Sequence, residues 1–189
     1  MMIACLGWGS LVWDPRALPV RSEWFADGPL LPIEFSRKSC DGRVTLVLLK
    51  KAPIVRSLWA LMSVSELKAA KKALADREGM PRCDKTKNIG YWSINGINEK
   101  SNGVGVESIG GWASTIGIEA VIWTALSEKG FGDENEYRSD LADKVIDYLR
   151  SLSYVKGQNA ERYIRKAPRQ IDTEVRRRIE REFGWLPMD

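Results

Sequence analysis

The sequence predicts an α+β fold: a mixed, barrel-like β-sheet with helices packed on it. Three observations predict it. Strand-length apolar runs dominate the N-terminal part of the chain. One helix with a buried stripe follows them, and helix-length patterns close the chain from about residue 134. With 189 residues, 44% of them apolar, residues 1–189 are expected to form a single domain with its own hydrophobic core.

The elements follow in order. Met2 to Leu6 is a buried strand, broken by Gly7-Trp8-Gly9-Ser10-Leu11, where two glycines around a Trp suit a tight turn. Leu31–Ser36 and Arg43–Leu49 are strands joined through Asp41-Gly42, a strong hairpin signal. The second of these is apolar on both alternating faces, so it is expected to be covered on both. Val55–Met62 is the next strand. Ser63 with Glu66 reads as a capping box opening a helix with Leu67, Ala70 and Leu74 inward, which Gly79 and Pro81 stop. Glu78 therefore sits at the C-terminal end of that helix. Residues 84–111 carry no clear period, and their glycines and polar runs suit a lid or a plain surface loop alike. Ile116–Ala125 is a strand. Arg138–Leu152, Ala160–Ala167 and a helix capped by Thr173 and running to Phe183 complete the chain.

Composition excludes several chemistries. There is no His, which removes Ser-His-Asp and Cys-His mechanisms and argues against a zinc site. Cys5, Cys40 and Cys83 form no metal-binding spacing and read as reduced thiols. Neither metal nor cofactor is expected. The net charge of +4 does not argue for nucleic acid as a partner. The cluster Arg176-Arg177-Arg178 with Arg181 is interleaved with Glu174, Glu180 and Glu182, the pattern of a salt-laced helix face. No run is long enough to cross a membrane and no leader pattern opens the chain, so the expected location is the cytoplasm.

Two blocks carry a resemblance. The first is Trp8-Gly9-Ser10-Leu11 after the first strand. The second is Leu58-Trp59-Ala60-Leu61, the helix over Ser65 to Ala75, and Arg77-Glu78-Gly79. In order and spacing, residues 2–126 resemble the gamma-glutamylcyclotransferase-like family, and the C-terminal part, including Tyr163-Ile164-Arg165-Lys166-Ala167-Pro168, resembles its uncharacterised bacterial branch. The resemblance implies that fold, and an enzyme releasing 5-oxoproline from a small gamma-glutamyl-containing ligand. It implies that main-chain amides of Gly9, Ser10 and Leu11 hold the glutamyl carboxylate and that Glu78 is the general acid/base. The family commonly has Tyr or Phe where this chain has Trp8, a difference that bears on the substrate class.

The residues fit those roles chemically. Intramolecular attack of an α-amine on its own γ-carbonyl needs one group to take a proton and return it to the leaving nitrogen, which one carboxylate can do. Glycine at position 9 lets main chain approach a carboxylate closely. Trp8 can wall a pocket, and Arg37 and Arg43, flanking the hairpin turn, can offer a fork to a ligand carboxylate. The plainer alternatives are a solvated helix end at Glu78, core packing at Trp8 and Trp13, and solvated strand ends at Arg37 and Arg43. The alternative function is a non-catalytic domain that binds a small carboxylate or a protein partner.

Overall fold

The computed structural model describes residues 1–80, 88–96, 103–132 and 137–188. In chain order its elements are β1 (Ile3–Gly7), α1 (Ser10–Trp13), β2 (Leu30–Lys38), β3 (Val44–Leu48), β4 (Ile54–Arg56), β5 (Leu58–Leu61), α2 (Leu67–Arg77), β6 (Ile89–Ser93), α3 (Val106–Thr115), β7 (Ala120–Thr124), α4 (Leu141–Arg150), α5 (Tyr154–Lys166) and α6 (Glu174–Phe183). The class is α+β. The described strands group into two sheets, one of four strands ordered β5-β1-β7-β6 and one of three ordered β3-β2-β4. The chain also forms two compact units, each discontinuous in sequence.

The first unit comprises residues 1–7, 14–31 and 56–126. Its centre is the parallel pair β1 and β7, in register Ile3 with Ala120 and Cys5 with Ile122. β1 is buried along its whole length, because β5 and β7 flank it and helices cover the sheet. β5 and β6 run antiparallel on the outside. Helices α2 and α3 both pack on β6 and β7. Gly90 lies opposite Trp123, and a β-carbon at 90 would stand 2.2 Å from the indole, so only glycine leaves that ring its place.

The second unit comprises residues 8–13, 32–55 and 127–189. Here β2 and β3 form the expected hairpin, with a bulge between Phe35 and Arg37. Helix α5 packs on β3 and α1, and α4 packs on α6. The buried Arg176 donates to the carbonyls of Ile164, Ala167, Pro168 and Ile171, satisfying acceptors at and beyond the end of α5. One member of the expected salt-laced face is thus an interior clamp. Arg177 and Arg178 do form surface pairs, with Asp172 and with Asp143 and Glu182.

Several boundaries differ from expectation for local reasons. Ser63 does not open α2: its hydroxyl donates to the Pro19 carbonyl, and the helix begins at Leu67 without a side-chain cap. Val55–Met62 is two strands, divided at Ser57, whose hydroxyl bonds the Pro29 carbonyl. The unreadable stretch contains β6 and α3; Pro81, Cys83, the run Lys85-Thr86-Lys87 and part of the supposed lid lie outside the described residues. Thr173 caps α6 as expected, accepting from the Arg176 amide.

Candidate functional site

Glu78 is placed by backbone physics. It is the C-cap of α2, followed by Gly79 at φ 66°. The Met80 amide bonds the Ala75 carbonyl and the Gly79 amide bonds the Asp76 carbonyl, the pairing of a Schellman motif. A β-carbon at Gly79 would meet no atom within 4 Å, so it is the left-handed φ that calls for glycine here.

The Glu78 carboxylate is gripped from the preceding residue. Arg77 Nη1 lies 2.6 Å from Glu78 Oε1, with the Arg77 side chain 4% exposed and that of Glu78 19%. The rest of the Arg77 fork donates to the Asp14 carbonyl, and Arg16 donates to the Arg77 carbonyl. Two segments far apart in sequence, 14–16 and the end of α2, are stapled around one buried guanidinium. Behind it is Cys5 on β1. Burial pushes the Cys5 thiol far up; the Glu78 charge adds to this and the Arg77 charge offsets part of it. Cys5 is therefore an inert thiol close enough to feel the Glu78 carboxylate.

Arg77 was named only within the Arg77-Glu78-Gly79 block and Cys5 only as a reduced thiol, so their place beside Glu78 escaped the sequence reading. A signal for Arg77 was present: it stands three residues after Leu74 and seven after Ala70, on the buried stripe of α2. A guanidinium on such a stripe needs an anion or carbonyls, and its neighbour Glu78 supplies one.

The residues of the Trp8-Gly9-Ser10-Leu11 block belong to the second unit. There Gly9, Trp13 and Arg43 gather around Tyr163. A β-carbon at Gly9 would stand 2.4 Å from the Tyr163 hydroxyl, so the close approach that glycine permits is made by a tyrosine. That hydroxyl accepts from the Leu46 amide at 3.4 Å, and the Trp8 indole donates to the Leu46 carbonyl at 3.4 Å. Trp8 and Leu11 are buried. The Trp13 ring meets Tyr163 edge-on, and the Arg43 guanidinium lies 5.5 Å from the same ring while pairing with Asp41 at 2.8 Å. Arg37 is elsewhere: it donates to the Ser127 carbonyl, and its main chain bridges to Lys129. An indole at position 8 meets the Leu46 carbonyl, which a phenyl ring could not do.

Buried in the same unit is Glu34, fully inaccessible on β2. Its carboxylate accepts from the Phe35 amide at 2.7 Å and the Val175 amide at 3.3 Å, and bonds the Thr173 hydroxyl, at the start of α6. Burial pushes it up to about 7, with the Glu174 charge adding and those hydrogen bonds opposing.

No group of three or more Cys, Asp or Glu that would hold a metal occurs among the described residues. No described helix is long and apolar enough to cross a membrane. No protein-family model, no curated protein and no solved structure matches the chain.

Proposed function

We propose that this chain is a gamma-glutamylcyclotransferase-like enzyme in which Glu78 is the general acid/base. The observation that carries the reading is the setting of Glu78: a partly accessible carboxylate fixed at a helix C-terminus by a Schellman turn and a buried guanidinium. In the reaction the α-amine of a gamma-glutamyl group attacks its own γ-carbonyl. A new C–N bond closes the ring of 5-oxoproline, and the old amide C–N bond breaks. Glu78 takes the proton the amine must lose and returns it to the leaving nitrogen, so the carboxylate ends as it began. Ring closure to five members is favoured once the substrate is held folded, which leaves the protein mainly a positioning task. The resemblance assigns Gly9, Ser10 and Leu11 to the glutamyl carboxylate, and we propose the cytoplasm as the place of action.

The test is 5-oxoproline release from gamma-glutamyl amino acids, gamma-glutamyl amines and glutathione by the wild type and by Glu78→Gln. The expected result is release by the wild type and a loss of about 10²- to 10⁴-fold in the folded variant. Release unchanged in the variant would remove Glu78 from the mechanism. No release from any substrate would turn weight to the second reading, a non-catalytic domain. The observation favouring that reading is that Glu78 already has a close guanidinium partner, the arrangement of a structural helix end.

A further inference from the structure

The first unit carries a feature that the proposed reaction does not use. Between the loop after Asp14 and one face of α2 lies an open groove of about 510 Å³. That volume falls in the range of small-ligand sites. Small side chains line it: Ala69 and Ala73, one turn apart on α2, and Ala17, with Ala17 and Ala69 exposed and Ala73 half-buried. Of its charged lining residues, Arg16, Lys72 and Asp76 are exposed at the rim, and Arg77 is buried on the inner side.

Arg16 is the unusual member. Its φ is 52°, a left-handed conformation that costs a residue bearing a β-carbon. Its guanidinium lies 3.1 Å from the Asp14 carboxylate and donates to the Arg77 carbonyl at 3.3 Å. Strain of this kind collects at binding sites, where a side chain must be presented in one direction. The counter-ions of the outer cations are loosely held. The Arg16–Asp14 and Lys72–Asp76 pairs are largely exposed, and exposed pairs contribute little. A ligand carboxylate can therefore replace either partner at small cost. Arg77 closes the inner side with its fork on the Asp14 carbonyl and Glu78.

We propose that this groove binds a small carboxylate with an apolar body, its charge between Arg16 and Lys72 and its body against Ala17, Ala69 and Ala73. The site lies within the first unit and holds whether or not the chain releases 5-oxoproline. The ligand is either a free acid or the C-terminus of a peptide.

The experiment titrates the full chain with N-acetylleucine, its neutral amide, and a pentapeptide ending in leucine with a free carboxylate, following backbone amides by NMR. Saturable shifts at Ala17, Ala69 and Ala73 are expected with an acid, and binding about tenfold weaker with the amide. Arg16→Gly removes the guanidinium while suiting the left-handed backbone, and Lys72→Met keeps the alkyl stem without the charge. Each is expected to weaken acid binding by a similar factor. Binding of the pentapeptide identifies a chain terminus as the source; binding of N-acetylleucine alone identifies a free acid. Absence of saturable binding by both acids, equal binding of the amide, or unchanged binding in both variants would overturn the proposal.

Discussion

Replacing Glu34 by Gln removes a carboxylate that burial has pushed from an ordinary 4.5 up to about 7. Because the folded value lies above the unfolded one, the unfolded chain ionises first as pH rises. The stability contribution is whole below pH 4.5, falls as pH climbs toward about 7, and is flat above that. The gap of about 2.5 pH units, at ~1.36 kcal/mol for each, gives a loss of about 3 kcal/mol across the window. Gln keeps an acceptor for the Phe35 amide and turns an NH₂ toward the Val175 amide, a cost that does not vary with pH. The readout is therefore the difference in slope between wild type and variant, from urea unfolding at intervals between pH 4.5 and 8. The variant is expected to lose that fall of about 3 kcal/mol, with pH trends from other groups common to both proteins. Carbon NMR of the Glu34 carboxyl should show a midpoint near 7. Parallel stability curves, or a midpoint at the ordinary 4.5, would refute the argument that burial outweighs the three hydrogen bonds.

Other perturbations follow from single contacts. Gly9→Ala places a β-carbon against the Tyr163 hydroxyl and should destabilise by about 1–3 kcal/mol, with part of the loss recovered in combination with Tyr163→Phe, as a double-mutant cycle of thermal unfolding would show. Gly79→Ala meets no neighbour, so its cost should be that of the left-handed backbone alone, about 1 kcal/mol by denaturant unfolding. Gly90→Ala drives a β-carbon into the buried Trp123 indole and should cost about 3 kcal/mol or more, with a change in Trp fluorescence; a cost under about 1 kcal/mol would mean that β6 and β7 yield easily.

What the sequence showed was whatever local chemistry controls. Thr173 before an amphipathic run, Gly79 after one, and Asp41-Gly42 between two apolar strands were legible because caps and turns are written in neighbouring residues. The position of Glu78 was legible for the same reason. The partners of these residues were not. Arg77 reaches a carbonyl sixty-three residues away at Asp14, and Tyr163 reaches Leu46 across 117 residues. Helix α3 was hidden because Gly110 and Gly111 stand in its middle, where propensity argues against a helix; Gly110 is there because a β-carbon would stand 2.6 Å from the Trp92 indole nitrogen. The capping box failed because the helix starts at Leu67 with Glu66 at its N-cap, which leaves Ser63 outside it, bonded to the Pro19 carbonyl.

The two bonds at Leu46 have a consequence for how molecules meet. Among the described strands β3 is the outer one of its sheet, and the Leu46 amide and carbonyl are taken by the Tyr163 hydroxyl and the Trp8 indole. An open outer strand is a template on which a second chain can add a strand and start aggregation. Two aromatic side chains from distant parts of the sequence occupy that position on β3, so an added strand would have to displace them there. Variants at Trp8 or Tyr163 chosen to alter ligand binding would also uncover a strand, and loss of soluble protein would be the first sign of it.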